Sequence, residues 1–304
     1  MRPLSPALHR LLTLAAAPLL LALGGAAVLP WAQGLRAEET ARGLQIPPPP
    51  TDRADALSQQ LSLFILGGLR TMAAEILAMD ATEAWISQDW PRARKRWNQI
   101  TTLCPRRSSY WMRAARDMAK NAVAHTQGRR DLDEHERAVM SRDYLDAAEK
   151  FLLTGIAHNP KEVLLRLDLG AFYEDLNRRP QFAKAVEAYQ AALDCGASPM
   201  NRRWVFYNLC RIRGREEEAW RLGRALFEEE RHRSPSLRCL LFVLQNSLPA
   251  ERIPAEQRLT PEQIFGSEER AVKHLRRFNR NSLRFPTRGV QEYLDGKEAE
   301  RTHD

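Results

Sequence analysis

The residues of this 304-residue chain best suited to chemistry do not fall into the spacing of a known reaction centre. Neither a nucleophile motif nor a phosphate-binding loop is present, and the glycine pair Gly67-Gly68 lacks the pattern that flanks a nucleotide site. The five internal histidines are His125, His135, His158, His232 and His274. None of them has a partner four residues away, so a helical zinc pair is excluded.

Acidic residues and cysteines are equally poor candidates for a metal site. The acidic cluster comprises Asp131, Asp133, Glu134 and Glu136, without the glycine and spacing of a calcium loop. The cysteines are Cys104, Cys195, Cys210 and Cys239, with no CxxC pair. Apolar helical surroundings favour packing as small hydrophobes, although disulfides stay open in an exported chain. We therefore expect no catalysis, no cofactor and no metal.

Basic residues dominate a stretch near the C-terminus. Within residues 270–288 they include Arg270, Lys273, Arg276, Arg277, Arg280 and Arg284, interleaved with Leu and Phe. Such segments bind membranes, nucleic acid or acidic proteins. A helix that caps a repeat array is the more common alternative, and Thr260-Pro261-Glu262-Gln263 is a good helix start for it. The formal charge of +8 favours acidic partners without choosing among them.

The N-terminus predicts a membrane anchor. Residues 1–10 form a basic stub, and residues 11–32 are an uncharged run long enough to span a bilayer. The positive excess before the run places the stub in the cytoplasm and the remainder outside it, in the envelope, where nucleic acid is not expected. A cleaved signal peptide is the alternative. Residues 33–56, with Pro47 to Pro50, predict a stiff linker.

The elements that must position any site are helices. Ala, Leu, Arg and Glu dominate the composition and β-branched runs are nearly absent, which predicts an all-α fold. A spacing of small-x3-large-x2-apolar-x4-Pro recurs from Ala93, Ala148 and Ala185, the last with Ala197 in place of proline. Small residues let helices approach closely, a large side chain fills the gap, and proline ends the helix.

These residues, with Trp111, Leu169, Gly170 and Tyr173 in the partner helices, resemble the tetratricopeptide-repeat (TPR) family. The resemblance covers about residues 74–231 and implies four helix pairs that begin near Ala74, Ser108, Val163 and Met200. It also implies an insertion loop from Gln127 to Val139. Residues 65–78 and 110–121 further resemble a bacterial membrane-anchored TPR group that has no assigned activity.

The resemblance implies an α-solenoid over residues 57–250, followed by a basic helical cap and tail in residues 251–304. Residues 295–304 are polar, which predicts a disordered tail. The family's inward-facing positions carried over to this chain are Trp85, Arg116, Lys120, Glu174, Asp175, Trp204, Asn208 and Arg211. Both tryptophans could instead pack between helices, and the family's full carboxylate clamp is not recognisable.

The predicted function follows from this architecture. We expect a single-pass inner-membrane scaffold whose repeat domain binds other envelope proteins. The alternative is a binder of anionic lipid or an envelope polymer through the basic segment.

Overall fold

A computed structural model of the chain describes residues 70–280 and 284–303, with side chains through residue 300. The described backbone is helical or irregular throughout and contains no β-strand. The fold class is therefore all-α, as predicted. Backbone contacts divide the chain between Leu77 and Ala78, and only the first turns of one helix are described on the N-terminal side.

The predicted anchor at residues 11–32, the linker at 33–56 and the segment 57–69 lie outside the described residues. Among the helices that are described, none is both long and apolar enough to cross a membrane.

The helices are named here in chain order. They are α1 Arg70–Ile86, α2 Trp90–Leu103, α3 Ser108–Arg116, α4 Val123–Gly128, α5 Glu134–His158, α6 Val163–Glu174, α7 Phe182–Asp194, α8 Arg202–Leu209, α9 Glu216–Glu228, α10 Pro235–Ser247, α11 Pro261–Phe265, α12 Glu268–Asn279 and α13 Val290–His303. A π-helical segment, Asp117–Ala122, joins α3 to α4 without a break. Single 3-10 turns lie at Pro199–Asn201, Glu230–His232 and Ala255–Gln257.

The insertion predicted as a loop from Gln127 to Val139 is mostly helical, so that prediction is wrong in extent. Only residues 129–133 connect α4 to α5. Asp133 and Glu136 form a capping box, in which each side chain accepts a hydrogen bond from the other residue's backbone N–H at 2.7 and 2.9 Å. The acidic cluster therefore starts a helix, because carboxylates satisfy the free N–H groups of its first turn.

The small-large spacing identified in the sequence occupies the interior. Ala93, Ala148 and Ala185 are fully buried, and Tyr189 is 3% exposed. Gly170 of α6 lies so close to the Tyr189 ring of α7 that an added Cβ would be 2.7 Å from it. The close helical approach predicted at this pair is confirmed.

A second core lies at the C-terminal end. Helix α10 is apolar nearly all round and packs against α9 on one side and α11 and α12 on the other. Its Phe242 and Val243 share a buried cluster with Ile264, Phe265, Leu275, Val290 and Leu294. The capping box predicted at Thr260 is present, with Gln263 as its partner.

The tail predicted to be disordered at residues 295–304 is helical through His303, so that prediction is wrong. Helix α13 buries Val290 and Leu294 in the cap core, and Lys297 forms an ion pair with Glu268 of α12. The prediction relied on the polar composition of these residues. Two apolar residues spaced four apart are nevertheless enough to anchor a short helix.

Candidate partner-binding face

Several predicted groove residues lie on α3, on the π-helical segment that follows it, on α6 and on α8. Arg116 ends α3 and Lys120 follows in the π-helical segment, Glu174 ends α6, and Trp204 and Asn208 lie on α8. Arg211 comes directly after α8. Polar and electrostatic contacts link most of these residues, and we call the surface that they and Asp168 form the α3–α6–α8 face.

The α3 part of the face is positively charged. Arg116 and Lys120 are exposed, and their charges act on the half-buried carboxylate of Asp168 in α6. Burial raises the pKa of Asp168, and the two cations partly oppose that increase. This part of the face carries more positive than negative charge and suits an acidic group.

A hydrogen-bonded group fills the middle of the face. Asn208 is fully buried, and its side-chain amide donates to the Glu174 carboxylate at 2.8 Å. Burial, followed by the Glu174 charge, raises the pKa of Tyr189, so this phenol stays protonated. Asn208 and Glu174 are therefore fixed in position by each other, as a preorganised binding surface requires.

Arg211 forms the far end of the face. Its guanidinium lies 5.1 Å from the centre of the Phe182 ring and 4.3 Å from that of Phe285. The same group donates to the Arg284 carbonyl at 3.1 Å and to the Asn208 side-chain oxygen at 3.4 Å. Burial lowers the pKa of Arg211, an effect that the Glu174 charge opposes.

The remaining predicted residues differ in how they are placed. Trp204 is 42% exposed and stacks on Tyr189 with 6.2 Å between ring centres, so it borders the face. Trp85 is 44% exposed on α1, and among the described residues no hydrogen bond or ring contact joins it to the others. Asp175 bonds to Arg178 and to the Asn177 N–H, so it stabilises the turn after α6.

The π-helical segment is held by a buried carboxylate. Asp117 accepts hydrogen bonds from the Trp97 indole at 2.9 Å and from the Asn121 amide at 3.0 Å. Desolvation raises its pKa more than these bonds lower it. A π-helical turn is wider than an α-helical one and shifts the residues that follow, so this segment sets where Lys120 emerges.

Asp168, Phe182 and Phe285 belong to this region but were not among the predicted residues. Asp168 carries no usable sequence signal, because it lies six residues before Glu174, a spacing that does not place two residues on one helix face. Phe285 carries none either, since its contact with Arg211 joins residues more than seventy positions apart.

The predicted basic surface is a face of α12. Lys273, Arg276, Arg277 and Arg280 are exposed, on the side opposite the buried Ala271, Val272 and Leu275. Arg276 pairs with Glu298 at 2.7 Å. Desolvation and the charges of nearby Arg and Lys side chains lower the pKa of half-buried His274. Arg270 and Arg284 are also exposed; Arg280 directly follows the helix, and Arg284 lies further beyond it.

No disulfide joins the four cysteines. Cys210 and Cys239 are buried, and burial raises the pKa of the Cys239 thiol to about 12, so it packs as an unreactive apolar group. Within the described part of the chain, no group of three or more His, Cys, Asp or Glu side chains is placed to hold a metal ion.

No protein-family model matches the chain, and no curated protein matches it either.

Proposed function

We propose that the chain is a membrane-anchored TPR-like scaffold of the cell envelope and binds a protein partner on its α3–α6–α8 face. The observation that supports this most is the continuity of the face. Arg116 and Lys120 act electrostatically on Asp168 of α6, and the buried Asn208 amide of α8 donates to Glu174, which also lies on α6. Arg116 and Lys120 are exposed, and Asp168 and Glu174 are partly exposed. Arginine and aromatic side chains around such a surface are frequent anchors of protein interfaces.

The TPR-like solenoid is part of this proposal. It is supported by helices that begin at Ser108, Val163 and Arg202, close to the expected repeat starts, and by the burial of the small-large positions. Stacked helix pairs of this kind build extended binding surfaces.

The test is a crosslinking pull-down of the full chain from solubilised membranes, read by quantitative mass spectrometry. We expect the double variant Arg116→Glu and Lys120→Glu to lower recovery of a specific partner about tenfold, which corresponds to a tenfold loss of affinity. The matched control reverses Lys95 and Lys150, which are exposed on the second helices α2 and α5. Equal recovery by both double variants would rule out the face as the binding site.

Membrane anchoring rests on the sequence of residues 11–32. Removing residues 1–56 should release the chain from the membrane pellet to the soluble fraction, and the full chain should resist alkaline extraction. Extraction of the full chain by alkali would contradict a spanning helix and favour a cleaved signal peptide.

A second function is supported by the basic face of α12. Four exposed cations on one side of a helix suit an anionic lipid surface or polymer. Reversing Lys273, Arg277 and Arg280 should abolish co-sedimentation with phosphatidylglycerol vesicles, and 0.5 M salt should weaken the wild type because screening shortens the reach of charge, to about 3–10 Å. The matched control reverses exposed Lys95, Lys150 and Lys161. Equal loss in both triple variants would indicate nonspecific attraction.

A further inference from the structure

A short non-helical segment between α12 and α13 lies against the Arg211 end of the α3–α6–α8 face. We call residues 284–289 the strap. Its Phe285 ring lies 5.8 Å from the Tyr207 ring of α8 and stacks at 6.1 Å on Phe278 of α12. The strap thus touches a face that the sequence predicts to bind partners.

The strap contacts Arg211 with a backbone carbonyl and an aromatic ring. The Arg284 carbonyl accepts from the Arg211 Nε at 3.1 Å, and the following Phe285 ring covers the guanidinium at 4.3 Å. Phe182 contacts the guanidinium as well, with its ring centre 5.1 Å away. A half-buried arginine binds an aromatic ring more strongly than an exposed one does, because its cation is already partly desolvated. The place that Phe285 occupies could therefore be taken by the ring of a ligand.

The docking of the strap is shallow compared with the anchoring of the helix that follows it. Phe285 is only half-buried, and Arg284, Pro286 and Arg288 are exposed. Helix α13, by contrast, buries Val290 completely in the cap core. The Phe285 side chain can therefore leave Arg211 without displacing α13.

One feature of the contact opposes docking. The positive charge of Arg284 acts unfavourably on Arg211. A ligand with an uncharged or acidic side chain in the place of Arg284 would avoid this repulsion and gain from Arg211.

We infer that the Arg211 end of the face is a binding site for a peptide segment that presents a backbone carbonyl followed by an aromatic side chain, and that the strap occupies this site as an internal ligand. The inference deepens the proposed scaffold function and rests on it for the identity of the partner. The site recognises peptide chemistry, since it uses a main-chain acceptor and a ring together. The strap lowers affinity for outside ligands by holding the site closed.

The test uses the full chain and a peptide copy of the strap, acetyl-Arg-(4-fluoro-Phe)-Pro-Thr-Arg-Gly-amide, observed by fluorine NMR. Phe285→Ala should open the site and bind this peptide about tenfold more tightly than wild type, as expected if the strap is docked in about 90% of molecules. A peptide with Glu in the first position should bind Phe285→Ala more tightly still.

Two controls make the result specific. Adding Arg211→Met to Phe285→Ala should abolish peptide binding, whereas Leu153→Ala, at a half-exposed apolar residue of α5, should leave wild-type behaviour unchanged. If Phe285→Ala does not fold, Phe285→Leu removes the ring and keeps apolar bulk. Equal peptide affinity in wild type and the open variant, or binding that survives loss of Arg211, would overturn the inference.

The outcome is independent of the partner test. The peptide experiment probes the site with purified components, so it can succeed even if the Arg116 and Lys120 reversals leave partner recovery unchanged. In that case the site stands and the proposed scaffold face is wrong. If the peptide fails while partner recovery falls, the scaffold proposal stands and this inference is wrong.

Discussion

Two buried polar side chains in this chain meet the cost of burial differently. Asp117 is 7% exposed and accepts two hydrogen bonds, from Trp97 and Asn121. His232 is fully buried, and neither ring nitrogen has a hydrogen-bond partner among the described residues; its Nε2 lies 3.5 Å from Glu229. Unpaired polar atoms are costly to bury. We therefore expect substitution of Asp117 to lower the free energy of unfolding, and substitution of His232 to change how that free energy depends on pH.

Replacing Asp117 tests the support of the π-helical segment. Asp117→Leu has a similar size but leaves the Trp97 indole N–H buried without a partner, so it should lower the free energy of unfolding by about 1–3 kcal/mol. Asp117→Asn keeps an acceptor for that N–H and removes a carboxylate whose pKa burial raises, so its cost should be smaller. Urea unfolding followed by circular dichroism measures both. A larger loss for Asn than for Leu would contradict this account.

His232 should make the chain less stable in acid. Burial, helped by three nearby arginines and opposed by Glu229, lowers its folded-state pKa below the ordinary 6.5. The unfolded chain then binds more protons, so stability is complete above about pH 6.5 and falls as the pH drops through the folded-state value. His232→Phe should flatten unfolding free energy between pH 7 and 5, while exposed His135→Phe should not. His274 shifts the same way and should leave a residual slope.

At the scale of helices, the features that could be predicted from the sequence are those that depend on residue spacing within one helix or one helix pair. Gly170 and Tyr189 were placed correctly because a small residue facing a ring is a pattern within one helix pair. Helix α5 was predicted to start too late because the Asp133–Glu136 box was interpreted as loop charge. Within the candidate face, Asn208 bonds to Glu174, whereas Asp175 bonds within its turn. Phe285 reaches Arg211 from a distant part of the chain, which repeat spacing does not predict.

Gly170 and Gly128 provide a matched pair for testing that close approach. Gly170→Ala places a methyl 2.7 Å from the Tyr189 ring, which cannot move freely because it is 3% exposed and stacked on Trp204. We expect a loss of about 1–3 kcal/mol in unfolding free energy. Gly128→Ala, at the end of α4 with nothing within 4 Å of the new methyl, should be neutral or stabilising by up to about 1 kcal/mol. Equal effects in thermal unfolding would show that α6 and α7 are not packed this closely.

At the scale of the folded unit that begins at Ala78, α10 packs both against α9, which precedes it, and into the C-terminal core formed with α11, α12 and α13. Leu240 and Leu241 are fully buried beside Phe242 of the cap cluster. The strap adds a second connection, since it contacts Arg211 and Tyr207 and leads into the start of α13. Loosening the C-terminal core should therefore change the Arg211 end of the α3–α6–α8 face, because the strap is held at one end by α13.

Leu294→Ala tests this coupling. The side chain is 5% exposed in the cap cluster, so its loss should cost about 2–5 kcal/mol and loosen α13 first. Hydrogen exchange should then accelerate in residues 284–300, including the strap, while α6 and α7 stay protected. Leu153→Ala, at a leucine that is 48% exposed, serves as the control and should change neither region. Faster exchange in α13 with an unchanged strap would mean that Arg211 holds the strap without help from the cap. Faster exchange in both would mean that the cap sets how often the Arg211 site is open, which makes affinity at that site depend on the stability of α13.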